Sequence, residues 1–223
     1  MSHLLQNEIS KLQDLIIRTC AEVEKSLSLA ISSVVERDSE RARQVVELDV
    51  EIDQMEVETE EQCLKVLALH QPVAFDLRFI VAILKINNDL ERIGDLAVNI
   101  AQRAIFLAGR DPYPPEFDFN RMASIVSEML KKSVDSLVGM DVAIAEEVCQ
   151  KDDEVDRINS EIFSRVESRL KAGYDNVAEL INLLSISRHL ERIADHATNV
   201  AEDVIYIAKG TIVRHSDELH RQD

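Results

Sequence analysis

Two stretches of this chain carry acidic side chains at a spacing that could hold a cation. One is Asp89-Leu-Glu-Arg-Ile-Gly-Asp-Leu-Ala-Val-Asn-Ile-Ala101, the other His189-Leu-Glu-Arg-Ile-Ala-Asp-His-Ala-Thr-Asn-Val-Ala201. Eight of the thirteen positions are identical, at an offset of 100. In each copy a glutamate, an aspartate and an asparagine recur every four residues: Glu91, Asp95, Asn99 and Glu191, Asp195, Asn199. Side chains four apart stand above one another on a helix, so each copy stacks two carboxylates and an amide on one face. Left alone, like charges at that spacing destabilise a helix by about 0.2–0.5 kcal/mol per pair. Either the neighbouring Arg92 and Arg192 or solvent offsets the repulsion, or a hard cation collects the oxygens.

Helices must position these groups. Apolar residues run through both copies in alternating steps of three and four: Ile83, Ile86, Leu90, Ile93, Ala97, Ile100 and Leu183, Ile186, Leu190, Ile193, Ala197, Val200. This is the stripe of an amphipathic helix packed along a seam. Periodicity and caps predict a first helix over 4–36, with a face from Leu12 to Val34. A second runs from the cap Asp38 to about Leu69, with seam positions Val45, Leu48, Ile52, Met55, Val66 and Leu69. A third runs from near Phe75 to Gly109 and carries the first motif. Gln71-Pro72 breaks the second from the third.

The stretch Gly109–Glu116 holds three of the four prolines and reads as a linker. The pattern then restarts, with helices from Phe119 to about Val138, from the cap Asp141 to about Ala172, and from about Val177 to Lys209. The expected architecture is all-α, two three-helix bundles related by a pseudo-twofold. They occupy 1–109 and 117–213, joined by a linker over 110–116 and followed by a polar tail over 214–223. The early helices repeat at an offset of 103, the motif helices at 100, and the change is expected in the loop around His70-Gln71-Pro72. Gly94 stands where the second copy has Ala194, and its small size is expected to let a neighbouring backbone approach the carboxylate face.

The repeat supplies a second set of acids. Asp49 and Asp53 lie four apart on the second helix beside its seam, and Asp152 and Asp156 repeat them on the fifth. If neighbouring helices are antiparallel, Asp49, Asp53, Glu91 and Asp95 converge, as do Asp152, Asp156, Glu191 and Asp195. Each quartet is a candidate cation site. Asn99, Asn199, Arg92 and Arg192 stand where they could support the ligands.

Composition narrows the function. Across 223 residues the net charge is −17 and apolar residues make up 46%, enough for a sizeable core. The charge argues against nucleic acid, which needs a basic footprint, and against docking to anionic lipid. It suits a cation or a basic partner surface. Cys20, Cys63 and Cys149 are far apart, form no zinc pattern, and suggest a reducing compartment. No signal peptide or transmembrane run is visible, which points to the cytoplasm. His189 and His196 lie about two turns apart on the sixth helix, as metal ligands or as satisfied or solvent-facing histidines. A ferritin-like di-iron site needs Glu-x-x-His; here those positions are Gly94 and Ala194. No glycine loop for phosphate and no nucleophile–base pairing is present.

The doubled motif, together with Ser187-Arg-His-Leu190 and Lys209-Gly-Thr-Ile-Val-Arg-His215, resembles the PhoU family over nearly the whole chain. The resemblance implies a cytoplasmic, non-enzymatic accessory protein of phosphate uptake that represses the phosphate-starvation response. It would act with the Pst transporter through its ATPase PstB, and with the sensor kinase PhoR, as a homodimer. It also implies metal ions on the acidic motifs, iron and zinc among them; for the carboxylates themselves manganese and magnesium are candidates as well. One departure stands out, Leu96 where the second copy has His196, so the two sites need not be equivalent. The alternatives are a metal-dependent hydrolase or oxidase on a carboxylate-rich bundle, and a passive cation store.

Overall fold

The computed structural model describes residues 3–110, 117 and 119–211. It contains six α-helices: α1 (His3–Val35), α2 (Ser39–His70), α3 (Ala74–Ala108), α4 (Asn120–Gly139), α5 (Val142–Lys171) and α6 (Val177–Lys209). The expected linker core at 111–116 and the tail at 214–223 lie outside the described residues.

The helix boundaries follow from local chemistry. Asp38 caps α2 by accepting from the backbone N–H groups of Glu40 and Arg41; Asp141 caps α5 by accepting from Ala143 and Ile144. Asn176 does the same for α6, accepting from Glu179. These contacts satisfy amides that the first helical turn leaves open. Gly210 ends α6 at φ 70°, and its N–H reaches the carbonyl of Tyr206. A side chain would be strained in that left-handed conformation.

Short connections make consecutive helices antiparallel neighbours. Helices α1, α2 and α3 pack on one another, and so do α4, α5 and α6. The two sets are not separate bodies. Helix α3 packs along α6, α1 touches α4, and one apolar core runs through both halves. The central pair is marked by burial: α3 and α6 each bury sixteen residues, whereas α2 buries seven and α5 six. The motif helices therefore form the inner layer and α2 and α5 lie outside. Leu90, Ile93, Ala97 and their twins Leu190, Ile193, Ala197 are almost wholly enclosed. Truncating one such leucine to alanine costs about 2–5 kcal/mol.

Two expectations need correction. Leu69 is exposed rather than a seam residue. It sits at the end of α2, where the chain is about to leave the bundle. The offset change is not a longer first loop. The link between α2 and α3 is the shorter one, residues 71–73 against 172–176, and it cancels the extra length of α2, 32 residues against 30 in α5; the three added residues lie at the start of α3, which runs from Ala74 to Asp89 where α6 runs from Val177 to His189.

Candidate functional site

Each half places its predicted carboxylates within reach of one another's charge where the outer helix meets the inner one, with Asp53, Asp156 and Asp195 exposed. In the first half Asp49 is half-buried, and that burial is the main cause that pushes its carboxyl up to about 6, with Asp53, Asp95 and Glu91 adding like charge. Glu91 is also raised, by burial and then by Asp95, against the opposing charge of Arg92. Arg92 bridges the motif, with Nη1 3.2 Å from Asp95 Oδ2 and Nε 3.3 Å from Glu91 Oε2.

In the second half burial pushes Asp152 up to about 6, reinforced by Asp195 and Asp156. The Thr198 hydroxyl donates to Asp152 Oδ1 at 3.4 Å and works the other way. Glu191 is raised by burial and by Asp156; Asp195 by burial, then Glu191 and Asp156. Arg192 makes no ion pair with Glu191 or Asp195, so the second quartet lacks the bridge that Arg92 supplies to the first. Among the described residues no three His, Cys, Asp or Glu side chains already sit close enough to hold a metal ion.

Gly94 does make room beside the first quartet, but for side chains rather than backbone. A Cβ there would lie 3.1 Å from Asp49 Oδ1 and 3.4 Å from Ile52 Cγ2. Close approach of α2 brings Asp49 against α3.

The asparagines do not support the quartets as a set. Asn99 donates to the backbone carbonyl of Asp95 at 2.9 Å. Asn199 reaches across to Asp89 Oδ1 in the other half at 3.2 Å. That same oxygen lies 2.8 Å from His196 Nδ1. Nearby, Lys85 Nζ is 3.3 Å from the buried Asp203 Oδ1 and stands over the Tyr206 ring at 5.3 Å. These contacts join α3 to α6 and set their antiparallel register, 85 against 203 and 89 against 196.

The pseudo-twofold partners of this cluster differ. His189 takes the place of Asp89, and Leu96 that of His196. The His189 imidazole is held down to about 4, first by burial and then by Arg103, Arg192 and Arg188. Its buried Nδ1 has no hydrogen-bond partner, and neither has the buried Nε of Arg103. Sequence reasoning missed the Asp89–His196 contact. The signal was in plain view: two of the positions where the motif copies disagree are the two ends of one contact. The three cysteines are free, and burial pushes the Cys20 and Cys63 thiols up to about 12, which keeps them unreactive.

Fold and site together define a class: a doubled helical repeat with its two motif helices face to face and a carboxylate quartet on each flank. The PhoU domain profile matches this chain twice, over residues 6–104 and 119–204. The chain belongs to the PhoU family. It is 39% identical over 211 residues to the "Phosphate-specific transport system accessory protein PhoU homolog" of Aquifex aeolicus, covering 95% of this chain and 96% of that one. It is 36% identical over 217 residues to the protein of the same name in Pseudomonas aeruginosa, covering 96% and 90%. The crystal structure of PhoU from Pseudomonas aeruginosa superposes with a TM-score of 0.90 at 35% identity, over 92% of this chain and 99% of that one. The phosphate transport system regulatory protein PhoU of Streptococcus pneumoniae gives 0.87 at 26% identity, over 94% and 99%. These relatives carry the names of accessory and regulatory proteins, not of enzymes. No helix among the described residues is long and apolar enough to cross a membrane.

Proposed function

We propose that this chain regulates phosphate uptake and phosphate-starvation signalling, as a negative regulator that acts in the cytoplasm by contact with the ATPase of a phosphate transporter and with a sensor kinase. The observation that carries this reading is the similarity to accessory proteins of the phosphate-specific transport system, which runs through both repeats and over 95% of the chain. A homodimer is part of the same reading. Deleting the protein should derepress phosphate-starvation genes in phosphate-rich medium, and an affinity pull-down from phosphate-replete cells should recover the transporter ATPase or the kinase. Unchanged expression together with an empty pull-down would overturn it.

The regulator is proposed to carry cations on Asp49, Asp53, Glu91 and Asp95 and on Asp152, Asp156, Glu191 and Asp195. The donor set suits them: it is all oxygen and strongly acidic, and the carboxyls of Asp49 and Asp152 are raised by burial and then by the like charge of their neighbours. Such a set favours magnesium, manganese or iron over zinc, which prefers nitrogen and sulfur ligands. Asp53, Asp156 and Asp195 are exposed, and they would have to turn inward to complete the shell. A bound cation would replace the mutual repulsion of each quartet with attraction and tie the outer helix to the inner one.

A further inference from the structure

Helix α2 presents an apolar row to solvent on the side away from the core. Val46, Val50, Val57 and Leu64 are 40%, 57%, 51% and 53% exposed. Their spacing of four, seven and seven residues keeps them on one line for about 27 Å of helix, at 1.5 Å per residue. Single exposed valines need no explanation; a row at heptad spacing does.

The other half shows that the fold does not require it. Helices α2 and α5 are aligned at an offset of 103: their caps Asp38 and Asp141 correspond, and so do the buried pairs Ala42/Ala145, Ile52/Val155 and Cys63/Val166. In that register the four apolar residues of α2 correspond to Cys149, Asp153, Ser160 and Glu167 on α5. The row itself is thus mostly polar on the twin helix, where the exposed large apolar residue over this span is Phe163, beside the line at the position of Glu60, and the bundle closes equally well.

The flanks of the row say what covers it. Between Val46 and Leu64 α2 carries eight carboxylates and no basic residue. Glu47, Glu58 and Glu61 line one side and Asp53 and Glu60 the other, all exposed. None of these five has an ion-pair partner among the described residues. On α5 the exposed glutamates near this line are compensated, Glu154 by Arg121, Glu161 by Arg157 and Arg165, and Glu167 by Lys171, although Asp153 and Asp156 have no ion pair among the described residues. A second copy laid on this row would set carboxylate against carboxylate in a chain of net charge −17. A helix with apolar residues at the same spacing and lysine or arginine beside them would meet complementary shape and charge.

We propose that the outer face of α2 is a docking surface for a basic amphipathic helix of another protein. The surface deepens the proposed function, since a regulator that works by contact needs such a face, and it rests on that reading for its biological partner alone.

The test uses the full chain and a labelled synthetic peptide of about three heptads, leucine at the core positions and lysine beside them. Binding is followed by fluorescence anisotropy near physiological ionic strength, where long-range attraction between exposed charges is screened. The variant Val50→Asp, Val57→Ser, Leu64→Glu places on α2 the residues that α5 already tolerates, and circular dichroism with thermal melting verifies its fold. Because it adds two negative charges, mere charge attraction would strengthen peptide binding. Docking predicts that affinity falls at least about tenfold. The single Val57→Ser, which adds no charge, should weaken binding by about threefold and serves if the triple variant does not fold. Affinity that is unchanged or increased in these variants overturns the surface. So does a self-association, seen by sedimentation, that the triple variant abolishes, because the occupant is then a second copy. In cells the triple variant should derepress starvation genes as the deletion does. Derepression by the deletion but not by the variant overturns the surface and leaves the proposed function standing. A deletion without effect overturns the proposed function, and the peptide result is read by itself.

Discussion

The two halves share a fold and a motif and yet solve their electrostatics differently. In the first half Arg92 spans Glu91 and Asp95, while Asp49 has no hydroxyl beside it because Val98 stands where the second half has Thr198. In the second half Thr198 donates to Asp152, and Arg192 acts on Glu191 and Asp195 through its charge without an ion pair to either. The same divergence appears where the halves meet. Asp89 gathers His196 and Asn199 across the interface, whereas its twin His189 faces arginines with an unpartnered nitrogen. Repetition therefore preserves the apolar seam and the acid positions, and it leaves the groups that neutralise those acids free to differ.

The largest expected effect comes from cation loading. Binding only to the folded state stabilises by RT ln(1 + [L]/Kd), about 2.7 kcal/mol at a hundredfold excess over Kd. Chelation should lower the melting temperature, and magnesium, manganese or iron should restore it. The second quartet should load first, since a cation at the first must displace Arg92 from Glu91 and Asp95. Titration by calorimetry should show two steps, with Asp195→Asn removing the tighter, Asp95→Asn the weaker, and Arg92→Ala drawing them together. Equal affinities in the parent would erase the distinction between the halves.

Next in size is the interface. Asp89→Leu strips His196 and Asn199 of their acceptor and should cost about 1–3 kcal/mol. His189→Leu at the equivalent position removes an unpartnered buried nitrogen and should be neutral or stabilising. Chemical denaturation of both variants decides the matter; equal losses would contradict the assigned asymmetry.

Acidification should expose the quartets in chelated protein. Asp49 and Asp152 titrate near 6 in the folded state, above the ordinary aspartate value of about 3.9. Between those two values the folded state binds protons that the unfolded state does not, so these groups make stability fall as pH rises through the window. His189 acts in the opposite direction, since its folded value of about 4 lies below that of the unfolded chain. The measurement is therefore a difference. Relative to an Asp49→Asn, Asp152→Asn variant, the parent should gain stability from pH 7 to pH 5. Parallel curves would mean that the two carboxyls titrate as ordinary surface groups.

The smallest effect is expected at Gly94. Alanine there makes the halves alike, as at Ala194, and gains helix propensity of about 1 kcal/mol. A new Cβ at 3.1 Å presses Asp49 Oδ1 aside, so the net change should stay within about 1 kcal/mol by thermal melting. A larger loss would show that Asp49 cannot yield.

Much of this was legible in the chain itself. Asp38 and Asp141 cap helices as their type and position suggest, and the seam from Ile83 to Ile100 is buried throughout. The quartets could be assembled because all eight acids sit beside seams within their own half, where helix period and antiparallel order are enough. The packing of α3 on α6 was not legible. Periodicity reports that a helix has a buried face but not which distant helix covers it, and the second buried face of α3, with Ala82, Leu96 and Ala101, reads as mere width of the stripe. For the same reason Asn199 seemed to belong to its own motif, although its donor group reaches Asp89 in the other half.

The Asp89–His196 contact also bears on how such a protein can arise. Two identical chains joined by this interface would repeat every contact, so an aspartate on one side would demand an aspartate on the other. A single chain that holds both copies escapes that constraint: 89 and 189 mutate independently, and one end of the joint can become a polar lock while the other does not. Tethering also makes the meeting of the two halves an intramolecular event, which raises the effective concentration of one half for the other. Their union then no longer depends on how much protein the cell makes.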